Sequence, residues 1–372
     1  MKIQKHGPID PIKWLSSYNL YPKFFWRAKG SECEVATIGS ALETSLDQIE
    51  DHKSAVNVVL SFDLDPSKSR IWIPDFELHR FSNEALIISN KEPYPEKNPL
   101  NKLKENKLQS FSCMPDFKMW DRSIAKAKKM VEKVVIARKQ TIFMEDEVNA
   151  LGVFSKLKEK SENSFLFFYQ PNPHEAFLGS SPETLFIKKD QKIISESIAG
   201  TRKRGKSISQ DISLKNELLT SKKELKEFEY VKNHIKSIYE KICFDYEISK
   251  INICKTNWVQ HLYTKFTGIL KNGYNCKELI NLFHPTPAVG GFPKNQALDF
   301  IQKTEPFNRS FYAAPIGRAS HFFSEFAVGI RSCLVKKKQI DVFAGTGIID
   351  SSNSRDEWKE LENKSNWIFE VI

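Results

Sequence analysis

Short aromatic and β-branched runs separated by polar turns open the chain, as in Phe24-Phe25-Trp26, Val58-Val59-Leu60 and Ile71-Trp72-Ile73. Runs of this length and type predict strands, and Pro74 must end its strand or leave it at an edge, because proline cannot donate to a ladder. A polar connection over 91–110 follows, with Pro93, Pro95, Pro99 and five lysines. Beyond it the rhythm turns helical from Trp120 through Ile124, Ala127 and Val131, then reverts to β-branched Val134-Val135-Ile136. Lys133 is therefore expected at a helix-to-strand junction. Phe165 to Tyr169, Ala176 to Leu178 and Thr184 to Ile187 read as successive strands. Leu214, Leu218, Leu225, Phe228, Val231, Ile235 and Ile242 keep a 3.6-residue rhythm and predict one long helix. Strands are expected again at 261–269, 325–335 and 339–344, and a last helix from Ser354. Strands, a long helix and further strands predict a mixed α+β architecture.

Composition narrows the classes. With 372 residues, 40% of them hydrophobic and 27% charged, the chain can bury a large globular core. The formal charge of +10 is scattered lysine, as in Lys126-Ala127-Lys128-Lys129 and Lys336-Lys337-Lys338. Such runs read as solvated faces, and a polyanion-binding module is the weaker alternative. No RNP motif, zinc-finger spacing or basic heptad region supports nucleic acid as a partner. No run approaches the ~20 apolar residues of a membrane span, and Met1 to Pro8 lack the apolar core of a secretory signal. The six cysteines form no CxxC pair, so reduced thiols in a cytoplasmic protein are expected.

Several segments could carry chemistry. Residues 284–294 hold three prolines and two adjacent glycines, which forbid a helix and let a ligand approach the backbone. Glu224 and Glu227 share a face of the long helix, and Glu357, Glu360 and Lys364 share one on the last. Carboxylates brought together from two helices suit Mg²⁺, a hard cation that takes oxygen ligands. The same residues also make ordinary structure: Ser354-Arg355-Asp356-Glu357 is a capping box, and Glu360 with Lys364 an i,i+4 ion pair. Ser181-Pro182-Glu183 lies between two strands. Ala199-Gly200-Thr201 and Gly345-Thr346-Gly347 each follow one, where backbone N–H groups could hold an anion. Arg331 sits in an apolar strand and should meet an anion or an internal carboxylate.

Their order is more specific than any one of them. Lys133-Val134-Val135-Ile136-Ala137-Arg138, Ser181-Pro182-Glu183, Ile198 to Gly205, Glu227, His261-Leu262 and 284–294 come in series. Tyr312 to Gly317, Ala327 to Ser332, Ala344 to Ile348 and Glu357-Trp358-Lys359-Glu360 complete it. In this order the chain resembles the chorismate-utilising enzymes, and within them the isochorismate synthases, over roughly residues 110–370. The resemblance implies one α+β domain of two large packed antiparallel sheets with outer helices. Residues 1–110 would then be its β-rich N-terminal part and 111–372 its chorismate-binding region. It also implies Mg²⁺ as cofactor, with Glu227 and Glu360 as principal ligands and Glu224 and Glu357 close by. Lys364 and the Ala199-Gly200-Thr201 backbone would assist at the ring carboxylate, and Tyr312, Arg331 and Gly345 would meet the enolpyruvyl carboxylate. Lys133 would be the base that activates water at ring carbon C2, Glu183 the acid that expels the C4 hydroxyl, and His261 a neighbour of that oxygen.

Three positions separate relatives. Amine-adding members usually carry glutamine where Lys133 stands, and aminodeoxychorismate synthases place a nucleophilic lysine where Ala199 stands. Salicylate- and anthranilate-forming members tend to have threonine at the place of Ala288. The resemblance thus implies an isomerase making isochorismate, for menaquinone or a siderophore, with a salicylate synthase as the alternative. No glutamine amidotransferase subunit is expected, and a monomer is. Ala314, Thr346, Phe228 and the segment Arg318 to Ser324 depart from the family pattern, which bears on affinity and rate.

Overall fold

The structure, a computed structural model, describes residues 2–92, 95 and 107–372. Two antiparallel sheets organise it, one of 12 strands and one of 10. The layering follows from side-chain alternation along continuously apolar strands. In the 12-stranded sheet Lys23–Arg27 pairs with Phe165–Asn172, with Trp26 opposite Phe167. Phe24, Trp26, Phe165, Phe167 and Tyr169 face inward and pack on Val59, Trp72, Ile316 and Ala327 of the other sheet. Phe25, Leu166 and Phe168 face outward and are covered by Val153, Phe154 and Leu157 of helix Ala150–Glu159. Behind the 10-stranded sheet, Phe228, Val231, Ile235 and Ile242 of helix Lys222–Ile242 pack on Ile193, Leu262 and Phe266. The order is helix, sheet, sheet, helix, and strands at the centre of each sheet, such as Lys23–Arg27, Glu34–Ile38 and Pro315–Ala319, are buried on both faces.

The first 90 residues enter both sheets: Lys23–Arg27 in one, Val56–Val59 and Arg70–Ile73 in the other. Ile73 ends its strand before Pro74, as expected. The connection expected over 91–110 falls mostly outside the described residues. Strands from both sides of it share each sheet, which makes the whole one domain.

The chain passes between the sheets at two neighbouring points. Glu175–Ser181 belongs to the 12-stranded sheet and Thr184–Lys189 to the 10-stranded sheet, so Pro182 and Glu183 form a crossover. Residues 329–331 make the return crossover, and this corrects the single strand expected over 325–335. Phe323–Val328 lies in one sheet and Ser332–Lys336 in the other, with Arg331 at φ +51° between them. Arg331 therefore sits at a bend and not within a strand. The crossovers are tied together: Ser180 N donates to Arg331 O at 3.0 Å and Val328 N to Glu183 O at 3.1 Å.

Other boundaries differ from expectation for local reasons. The long apolar rhythm belongs to two helices, Ile208–Thr220 and Lys222–Ile242, because Ser221 is extended and its hydroxyl caps the second through Glu224 N. Asn353, not Ser354, caps the last helix, Ser354–Ser365. Gly200-Thr201 does not follow a strand but lies inside Lys192–Lys203, at a bulge where Gly200 takes φ +70°. Gly345-Thr346-Gly347 likewise lies inside Gln339–Ile348.

Candidate active site

A pocket of about 650 Å³, counting its open mouth, lies beside the two crossovers. Glu183, Ala199, Gly200, Thr201, Glu227, His261, Ala288, Tyr312, Arg331, Gly345 and Lys364 all line it. Lys133, Glu224, Glu357 and Glu360 stand behind this lining. Lys133 Nζ is 3.4 Å from Glu227 Oε1, and Glu360 Oε1 is 2.6 Å from Lys364 Nζ. Glu224 Oε2 accepts from Thr201 N at 3.2 Å. A second cleft shares Thr201 with the first and is lined by Glu224 and Glu360.

Alternation on strand Lys133–Met144 explains how a lysine comes to be buried here. Val134 and Ile136 pack on Trp120 and Ile124 of helix Phe117–Met130, while Val135 faces the pocket. Lys133, two residues before Val135, shares its face. It is fully buried, and burial pushes its amine towards the neutral form, against the pull of Glu227. Glu183 is 4% exposed, and burial pushes its carboxyl up to about 8 even though Lys133 favours the ion. At neutral pH Glu183 holds its proton.

His261 Nδ1 lies 3.0 Å from Gly200 O and 3.2 Å from Thr201 Oγ1. A carbonyl only accepts, so Nδ1 carries the hydrogen and Nε2 keeps a lone pair. Burial, then Arg331 and Lys364, push the ring down to about 3, so it stays neutral. Nε2 is buried and has no hydrogen-bond partner among the described residues, an acceptor available to a hydroxyl group.

Two fixed cations face the pocket. Lys364 is bound to Glu360, but Arg331 forms no salt bridge among the described residues and donates from Nη1 to Lys364 O at 3.0 Å. Of the two partners expected for Arg331, an internal carboxylate is not in salt-bridge contact among the described residues, and the guanidinium remains able to meet a bound anion. Tyr312, stacked on Phe343 with centroids 5.1 Å apart, closes that side, and burial holds its phenol protonated.

The four helix acids lie near enough to influence one another's charge. Burial raises Glu224, helped by Glu227 and Glu360, and burial raises Glu357, helped by Glu360. All four meet a basic side chain: Arg202 on Glu224 at 2.7 Å, Lys223 on Glu357 at 2.5 Å, Lys133 on Glu227 and Lys364 on Glu360. Among the described residues no three acidic, histidine or cysteine side chains are grouped as a ready metal site. The all-carboxylate donor set has the chemistry of a hard dication's ligands.

A model of the chorismate binding enzyme family matches residues 69–372. The chain belongs to the chorismate-binding enzymes. Isochorismate synthase MenF of Haemophilus influenzae is 27% identical over 385 residues, covering 97% of this chain and 89% of that protein. The chloroplastic isochorismate synthase 2 of Arabidopsis thaliana is 38% identical over 237 residues, 63% of this chain and 42% of its own. The chain thus spans less than half of that relative's length, and likewise 47% of the chloroplastic isochorismate synthase of Catharanthus roseus, to which it is 33% identical over 274 residues. The solved structure of MenF, the menaquinone-specific isochorismate synthase from Escherichia coli, superposes with a TM-score of 0.90 at 25% identity, covering 100% of this chain and 94% of that one. The anthranilate synthase component I structure from Streptococcus pneumoniae shares the fold, with a TM-score of 0.72 at 16% identity.

In this chorismate-binding enzyme two residues matter to the site beyond the motif assignments. Thr346 Oγ1 lies 2.6 Å from Glu357 Oε2 and 3.1 Å from Glu360 Oε1, so its hydroxyl bridges two of the acids. Gly347 lines the pocket, and a Cβ there would fall 2.1 Å from Glu227 Oε1 and 3.1 Å from Lys133 Cε. A glycine inside a strand is the sequence signal of such close approach. Gly347→Ala is expected to push Glu227 off Lys133 and lower kcat/KM by roughly 100-fold with the fold retained. Wild-type kinetics in that variant would show the contact to be dispensable. By contrast Phe228 is buried in the helix-to-sheet core and is not part of the pocket lining.

Proposed function

We propose that the protein is an isochorismate synthase, an isomerase that converts chorismate to isochorismate. Glu183 carries this proposal: it is a carboxyl held protonated at neutral pH, on a pocket that also presents Arg331 and Lys364 to an anionic substrate. Hydroxide is a poor leaving group, and an acid in this state can supply the proton it needs. Lys133, as a neutral amine, takes a proton from the water that adds at ring carbon C2. Glu183 gives its proton to the C4 hydroxyl, which leaves as water while the ring double bonds shift. One water is consumed and one released, so the net change is an isomerisation. His261 Nε2, with its free lone pair, accepts from the C4 hydroxyl and orients it. Arg331 and Tyr312 bind the enolpyruvyl carboxylate, and Gly345 leaves room for it. Ala199 offers no amine to attack the ring, and Ala288 keeps the facing wall small.

Mg²⁺ is part of the proposal. Glu227 and Glu360 would hold it, with Glu224 and Glu357 alongside, and when bound it would neutralise the ring carboxylate. Lys364 and the Gly200-Thr201 backbone assist at that carboxylate. Water as nucleophile leaves no role for a glutamine-hydrolysing subunit, and we place the protein in the cytoplasm, acting as a single chain. No helix among the described residues is long and apolar enough to cross a membrane.

The test is product analysis after incubating purified protein with chorismate and Mg²⁺. Isochorismate is expected. Salicylate with pyruvate would replace this activity by that of a salicylate synthase, and no turnover with or without ammonia would end both.

A further inference from the structure

Lys29 and Glu196 have no part in the chemistry above, yet they bracket its acid. Lys29 follows strand Lys23–Arg27 of the 12-stranded sheet, and Glu196 lies on Lys192–Lys203 of the 10-stranded sheet. Their ion pair bridges the sheets, with Lys29 Nζ 2.9 Å and 3.1 Å from the two Glu196 oxygens and side chains only 13% and 9% exposed. Lys29 Nζ also donates to Pro182 O at 3.1 Å, the carbonyl just before Glu183. Thr184 Oγ1, just after Glu183, donates to Glu196 Oε2 at 2.6 Å, and Tyr263 Oη donates to Oε1 at 3.0 Å. Both neighbours of Glu183 are thus fastened to one buried pair. Glu196 shares its strand face with Ile198, two residues on, which lines the pocket.

The geometry points to the Lys29–Glu196 pair as a positioning element for the acid, fixing the Pro182–Thr184 crossover and setting, through its two opposite charges, the pH at which Glu183 gives up its proton. The inference rests on the reading of Glu183 as the general acid. The groups facing Glu183 are Lys133 from strand Lys133–Met144, Lys364 from the last helix, Tyr312 beside Arg331, and the pair itself. Lys364 and Lys29 are cations that favour the ion, as Lys133 does whenever it carries a proton, and Glu196 is the anion that opposes them, with burial the largest influence.

Opposite charges predict opposite effects. Glu196→Gln leaves Lys29 uncompensated and should move the alkaline limb of the kcat/KM profile down by about one pH unit. Lys29→Gln, which keeps a donor for Pro182 O but drops the charge, should move it up by a similar amount, and the double variant should fall between. The infrared band of the protonated carboxyl, assigned by its loss in Glu183→Gln, reports the same midpoint without turnover. Melting curves establish that each variant is folded, and Lys29→Met replaces Lys29→Gln if the latter does not fold. Slower turnover with unmoved midpoints, or both single variants shifting the same way, overturns the inference. Full activity of Glu183→Gln would instead overturn the acid assignment, a distinguishable failure.

Discussion

Glu183→Gln and Lys133→Gln each lower kcat for isochorismate formation by about 10²–10⁴-fold, the usual weight of a positioned acid or base. Glutamine at 183 keeps the shape and hydrogen-bonding capacity of the protonated carboxyl but has no proton to give. Glutamine at 133 fills the space beside Glu227 but accepts no proton from water at neutral pH. Arg331 and Tyr312, which would bind the substrate carboxylate, are untouched, so KM moves much less than kcat. In the wild type the same assignment fixes the sign of the pH profile. Activity falls as pH rises past about 8, where Glu183 ionises, and falls at low pH as Lys133 gains a proton. Initial rates at saturating chorismate and Mg²⁺, with circular dichroism on each variant, check this. Wild-type kcat in either variant removes that residue from the chemistry.

What could be read from the chain divides along a physical line. Local signals carried well: the helix ending before Lys133, the break between two strands at Ser181-Pro182-Glu183 and the stiff segment at 284–294 depend on propensity and backbone restriction within a few residues. Ala288 and Val289 do line the pocket, and Gly291-Phe292 forms a short strand against Lys133 and Val134. Signals that depend on the other sheet were less legible. The apolar run over 325–335 looks like one strand because Phe326 and Val335 are both buried, and nothing local says that they are buried in different layers. Ser221 breaks a periodicity that continues undisturbed across it, since a capping serine does not interrupt an apolar stripe.

Ion-pair partners were the least legible of all. Glu360 with Lys364 is an i,i+4 pair and can be seen in sequence. Lys133 with Glu227, and Lys29 with Glu196, join positions 94 and 167 apart and exist only through sheet register and helix packing. The family resemblance supplied candidate roles for Lys133 and Glu227 but had nothing to say of Lys29 or Glu196. Their contacts emerge only once the two sheets are superimposed.

A group kept in an unfavourable protonation state for catalysis should destabilise the fold, and Glu183→Gln is therefore expected to stabilise it. The Glu183 carboxyl is raised from 4.5 to about 8 in the folded protein. Its contribution to stability is fully present below pH 4.5 and is lost as pH rises to 8, because the unfolded chain ionises there while the folded one does not. Each pH unit in that window costs the wild type about 1.4 kcal/mol, or about 3 kcal/mol by pH 7. Glutamine does not titrate, so the stability difference between variant and wild type should be flat below pH 4.5, grow steadily towards pH 8 and level off above it. Denaturant unfolding of both proteins across this range measures the difference directly, and titrations elsewhere in the molecule cancel in the subtraction. A gap that stays constant with pH would show that Glu183 is ionised in the folded protein and unable to act as the acid. A gap that widens over that interval would tie the stability cost and the catalytic role to the same buried proton.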